Sequence, residues 1–155
     1  MDHLDRNLGF LLHDVARLMR KRFEQNAREL GLTRSQCQVL AHLARNEGIQ
    51  QSALADILEV EPITLTRILD RLEEAGLVQR LLHSKDRRVR LLRLTHAAHP
   101  LLDEIFAIGA LTRGEALEGV PEEDRNRLFD ILSSMKVNLI GKSAAAAGER
   151  RASHG

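Results

Sequence analysis

Thr64, Thr66 and Arg67 stand within four residues of one another, and Lys85-Asp86-Arg87-Arg88 follow shortly after. Hydroxyls and a guanidinium are groups that hydrogen-bond base edges in a major groove, arginine favouring guanine. The second cluster is strongly basic. From Gln79 to Arg93, Arg80, Lys85, Arg87, Arg88, Arg90 and Arg93 face Asp86 alone, a net +5. Such a run suits phosphates, and Asp86 lies at pairing distance from its arginines. Each residue taken singly also fits a solvated surface. Their direct succession favours duplex DNA, with a helix in the major groove and a basic hairpin touching backbone or minor groove beside it.

The elements that must position these groups are readable. In EPITLTRILDRLEEAGLVQRLLHSKDRRVRLLRLT, residues 61–95, Leu65, Ile68, Leu69 and Leu72 recur at helical spacing and form an apolar stripe. Thr64, Thr66, Arg67, Asp70, Arg71, Glu73 and Glu74 occupy the other face. Pro62 fits a first helical turn, where its missing N–H costs no hydrogen bond. Gly76 fits the left-handed residue that closes a helix. The apolar runs 77–82 and 89–95 are expected to be strands, with His83 to Arg88 as the loop between them.

Upstream, Leu8, Leu12, Val15, Met19 and Phe23 mark an amphipathic helix expected from Leu4 to Leu30, with Gly31 closing it. Leu11 and Leu18 widen its stripe beyond what one short neighbour covers, so it fits a core helix or a subunit interface. Thr33 and Gln36 form a capping box for a second helix ending near Arg45. Gln51 to Leu58 is a short third helix. A turn through Glu59 and Glu61 leads to the fourth, which makes a helix-turn-helix. Past Thr95 two more helices are expected, broken at Gly119-Val120-Pro121, with Gly109 and Gly114 weakening the first of them.

Composition narrows the function. The chain has 155 residues, 43% of them hydrophobic, enough for one domain or a compact pair with a largely α-helical core. Net charge is +1, but residues 97–132 carry −5, so a basic working patch sits on an acidic body. Four aromatics, all Phe, argue against single-strand binding by base stacking. No apolar run reaches membrane-spanning length and no secretory leader is evident, and a lone cysteine fits a reducing cytoplasm. His83, His96 and His99 lack the cysteines or acids that would complete a metal site. His83, Ser84 and Asp86 share one loop, unlike a catalytic triad, and no Gly-rich phosphate loop occurs, so neither an enzyme nor a cofactor is expected. His13 and Arg17, spaced i, i+4 on a flank of the first helix, could orient an anionic effector or simply be solvated.

Taken together, Leu32-Thr33…Gln36…Val39-Leu40, Leu54-Ala55, the run Leu65-Thr66-Arg67-Ile68-Leu69-Asp70-Arg71-Leu72-Glu73…Gly76-Leu77-Val78, and Asp86-Arg87-Arg88…Leu92-Arg93-Leu94-Thr95 resemble the MarR-type winged-helix transcriptional regulators. The resemblance extends to about Lys142. It implies a mainly α fold with a small β-hairpin wing. The helix over 1–32 and those over 96–142 would dimerise, and 33–95 would bind DNA; beyond the resemblance, the small, polar composition of 143–155 is expected to give a disordered tail, although its alanines could extend the last helix. It implies a homodimer on a pseudo-palindromic operator, with repression relieved by a small phenolic or anionic ligand or by an oxidant. Thr64, Thr66 and Arg67 would face the major groove, with Arg71 on the same DNA-binding helix. Gln51 and Ser52 would contact phosphates. Arg88, or Arg87 beside it, would enter the minor groove, steadied by Asp86. Cys37 would lie beside the ligand pocket, where relatives often carry a bulky aromatic. Peroxide-sensing relatives carry their cysteine on the first helix among tyrosines. Cys37 is on the second and the chain has no tyrosine, which suits an inert thiol. Two positions depart from the pattern: Glu59 replaces a frequent glycine, and Glu61 a frequent Ser, Thr or Asp cap. These acids favour the alternative, a winged-helix protein-interaction module without tight DNA binding.

Overall fold

The computed structural model describes residues 7–153. Two compact units divide between Ala116 and Leu117. In the first, the element order is α1 (Leu8–Asn26), α2 (Arg34–Arg45), α3 (Gln51–Leu58), α4 (Pro62–Glu74), β1 (Val78–Leu82), β2 (Arg90–Leu94) and α5 (Ala98–Ala116). The second is built on α6 (Glu122–Ala152). This is the expected mainly α-helical fold with a two-stranded hairpin.

Local chemistry sets most boundaries. The N-cap of α1 is Asn7, whose side chain accepts from the Phe10 N–H. α1 ends at Asn26 and tightens into a 3-10 turn at Arg28–Leu30 before Gly31, so the expected single helix to Leu30 changes geometry in its last turn. Its expected start at Leu4 lies outside the described residues. Thr33 and Gln36 form the capping box in both directions, at 3.1 and 2.9 Å. Pro62 occupies the first turn of α4. Gly76, at φ 75°, closes that helix and turns the chain into β1, and its carbonyl accepts from the Thr95 hydroxyl.

Leu40, Leu43, Leu54, Leu65, Leu69, Leu72 and Leu92 are completely buried in one cluster that draws on α2, α3, α4 and the hairpin. α5 seats Ala98, Leu102 and Ile105 in the same cluster. It stays helical through Gly109 and Gly114, because packing on α1 and α2 outweighs their weak propensity. β1 pairs with β2 antiparallel, Val78 opposite Leu94 and Leu82 opposite Arg90. The segment before α3 joins them: Leu92 N–H donates to Ile49 C=O at 2.9 Å, which ties the wing to the start of α3.

α6 runs to Ala152, where a disordered tail from residue 143 is the sequence expectation. Ala144 to Ala147 explain the difference, since alanine has the highest helix propensity and carries the helix onward. Among the described residues, no helix is long and apolar enough to cross a membrane.

Candidate nucleic-acid interface

On α4 the buried residues are Leu65, Leu69 and Leu72, which turns Ile63, Arg67 and Asp70 outward along one line, with Thr64 and Arg71 beside them. Thr64, Arg67 and Arg71 share a groove with Thr33, Ser35 and Gln36 of the α2 N-terminal turn. Thr66 flanks the line on the side nearer α3 and is half-buried. Its hydroxyl donates to Pro62 C=O at 3.0 Å and accepts from Gln51 Nε2 at 3.0 Å. Its single hydroxyl hydrogen is therefore committed within the protein. Gln51 spends one Nε2 hydrogen on this contact, which ties the start of α3 to the first turn of α4. Ser52 is exposed at the start of α3, on a cleft of about 290 Å³ that Arg88 and Arg90 line from the wing side.

The wing loop is held by its own polar groups. His83 Nδ1 accepts from the Lys85 and Asp86 N–H groups at 3.0 and 3.2 Å. Asp86 Oδ1 accepts from Arg88 N–H at 3.0 Å and from Arg88 Nε at 3.3 Å. Arg88 remains 91% exposed beyond that contact, so Asp86 aims the guanidinium without neutralising its outer face. Arg87 is exposed beside it, and its carbonyl accepts from Arg90 Nη1 at 2.7 Å.

Arg80 belongs to the basic run in the sequence but not to the exposed patch. Its Nη2 donates to Asp70 at 2.5 Å and to Glu73 at 3.0 Å, and its backbone N–H also reaches Glu73. The pair holds the Glu73 carboxyl below the ordinary carboxylate range, chiefly through the Arg80 hydrogen bond. The clamp is thus intact at neutral pH and fixes β1 against α4. The same contact pairs Asp70 with Arg80 while Asp70 stays exposed on the line of Arg67.

The two departures at the turn have structural consequences. Glu59 closes α3 at φ 53°, the one left-handed non-glycine residue among those described, which explains why glycine suits this position. Glu61 is the N-cap of α4 but its side chain makes no capping hydrogen bond.

A separate cavity of about 360 Å³ lies between α1, α2 and α5. Arg20 and Phe23 line it from α1, Arg34, Cys37, Gln38, Ala41 and His42 from α2, and Ile105, Phe106, Gly109, Ala110 and Arg113 from α5. No acid lines it, although Arg34 pairs with Glu24 at its edge, 3.1 Å apart. Cys37 lines this wall, and burial pushes its thiol above the ordinary cysteine range. His13 and Arg17 are not at the cavity. They lie further along α1 toward its N-terminus, and Arg17 pairs with Asp14 instead. Arg20, Arg34 and Arg113 come from three helices, so no spacing along the chain announces them. Among the described residues no cluster of His, Cys, Asp or Glu could hold a metal ion.

Comparison with known proteins agrees with this geometry. The MarR family model matches residues 32–89, which span α2, α3, α4, β1 and the wing loop. The structure of transcriptional regulator PA3341 is 36% identical, covers 87% of this chain and 99% of its own, and superposes with a TM-score of 0.76. A cysteine-to-serine mutant of MarR from E. coli complexed with operator DNA is 26% identical over 83% of this chain and 92% of its own, with a TM-score of 0.72. CouR from Rhodococcus jostii RHA1 bound to p-coumaroyl-CoA is 28% identical over 87% and 95%, with a TM-score of 0.74. With the helix-turn-helix, the basic wing and these relatives in agreement, the chain belongs to the MarR family of winged-helix, DNA-binding transcription regulators.

Proposed function

We propose that this regulator is a homodimeric repressor that grips a pseudo-palindromic operator and releases it when a small anionic, aromatic ligand occupies the α1–α2–α5 cavity. The observation that carries the DNA half is the wing: a guanidinium that is 91% exposed yet aimed by Asp86, next to a helix whose outer line carries Arg67. In this reading Thr64, Arg67 and Arg71 act in or beside the major groove and Ser52 at a phosphate. Arg88, with Arg87 beside it, acts at the minor groove. Gln51 and Thr66 serve by fixing α4 rather than by direct contact.

Dimerisation draws its support from surface the chain leaves uncovered. Leu8, Leu11, Leu12, Val15 and Leu18 lie along one side of α1 and are each 38–58% exposed. Such a contiguous apolar stripe is characteristic of an interaction surface. A twofold partner would present the same stripe and bury both. On α6, Leu128, Ile131 and Leu139 are exposed as well.

Ligand control draws its support from charge and position. The cavity falls in the size range of small-molecule sites, with Phe23, Ile105 and Phe106 for an apolar body. Arg20, Arg113 and Arg34 would receive an anionic group. The first turn of α2 has two faces: Arg34, Cys37 and Gln38 meet the cavity, while Thr33, Ser35 and Gln36 meet the α4 groove. A ligand that moves this turn would move the reading helix. The alternative of a protein-interaction module rests on the acids Glu59 and Glu61 at the turn before α4.

One experiment separates these. Purified protein is incubated with a randomised duplex library, the retained sequences are read, and retention is repeated with aromatic carboxylates and p-coumaroyl-CoA. The expected outcome is an inverted repeat, released by at least one such anion, with release but not binding lost in Arg113→Ala. Failure to select any sequence contradicts the regulator reading and favours the interaction module. Selection without release by any anion contradicts the ligand reading alone.

A further inference from the structure

We infer that Ile63 is a specificity-determining residue that reads the C5-methyl group of a thymine, one in each half-site, close to the base contacted by Arg67. This rests on the DNA-binding reading of α4. A lone exposed apolar side chain is ordinary on a protein surface, so the position must make the case. Ile63 is 59% exposed in the first turn of α4, the part of a reading helix that meets base edges. It lies on the line opposite the buried Leu65 and Leu69, one turn ahead of Arg67.

Its neighbours are already assigned by geometry. Thr66 gives its hydroxyl hydrogen to Pro62 and is engaged by Gln51, and Asp70 is drawn to Arg80. Ile63 and Arg67 therefore lead the outward line of the helix. Arg67, Arg71 and the wing arginines are the exposed cations near it, while Glu59 and Glu61 are exposed on the turn before the helix and Asp70 pairs with Arg80. An apolar group beside such cations matches a partner that is anionic at its margins and carries isolated methyls between them. A duplex provides this, because thymine alone among the four bases places a methyl in the major groove. Four residues of helix advance about 6 Å, and base pairs are stacked about 3.4 Å apart. The thymine is thus expected within about two steps of the guanine that Arg67 contacts.

The test removes single methyls. In a duplex selected by the full chain, each thymine is replaced in turn by deoxyuridine, and affinity is measured for the wild type and Ile63→Ala. Wild-type affinity is expected to fall about fourfold for one thymine per half-site, the effect of one buried methyl-sized group, and about fifteenfold when both are changed. Ile63→Ala is expected to bind thymine and uracil duplexes alike, with the wild-type melting temperature. Selection by this variant should lose the thymine while keeping the guanine. If uracil is tolerated everywhere by the wild type, or if methyl dependence persists in Ile63→Ala, the assignment is overturned and the DNA reading stands. If the wild type selects no sequence, both are overturned.

Discussion

Arg67→Ala is expected to weaken binding to the selected duplex by about tenfold to a hundredfold per half-site, the range for losing one bidentate arginine–guanine contact. Folding should be unaffected. Arg67 is exposed, makes no ion pair among the described residues, and lies on the side of α4 opposite the core. The accompanying change in the selected sequence distinguishes a base contact from a phosphate contact. If Arg67 reads guanine, the variant tolerates all four bases at one position per half-site. If it meets only phosphate, affinity falls evenly on every sequence. Fluorescence anisotropy on a set of single-base variants checks this, with the melting temperature as control.

The second large effect is in the core under the same helix. Leu69→Ala is expected to destabilise the fold by about 2–5 kcal/mol, from lost burial and from the cavity left behind. Leu69 is completely inaccessible and sits in the cluster shared by α2, α3, α4 and the hairpin, so neighbouring elements cannot collapse into the gap freely. Urea unfolding at fixed protein concentration measures it, since the stability of the proposed dimer would depend on concentration. Ile63→Ala, six residues earlier on the exposed side, should leave the urea midpoint unchanged. A small effect at Leu69 would mean that the helix is held by something other than this core.

Much of the frame was legible from local chemistry. Thr33 with Gln36, Pro62, Gly31 and Gly76 mark helix ends by rules that need only a few neighbouring residues, and each appears where those rules place it. The leucines of α4 show their buried side through spacing alone. The site was less legible because its contacts join residues distant in sequence. Thr66 carries the hydroxyl of a base reader, and only the fold reveals that Gln51, fifteen residues earlier, donates to it. Arg80 counts as part of a basic run until α4 is folded against β1 and two acids meet it. His13 and Arg17 have the right types and spacing for an anion, yet Arg20, Arg34 and Arg113 converge at the cavity, because three packed helices decide which arginines meet. Ile63 was hidden differently: an apolar residue in a polar helix face reads as noise until its exposure at the leading turn is known.

The most direct test of α4 and the wing gripping one duplex together is the salt dependence of affinity for the selected operator, compared between the wild type and Arg88→Ala. Log affinity is expected to fall steeply and linearly with log salt, by about 0.9 for every phosphate neutralised. Arg88→Ala should bind more weakly with a shallower slope while keeping its preference for the same half-site sequence. A variant that binds as tightly as the wild type, with the same slope, would contradict the placement of the wing on DNA and the joint grip with it.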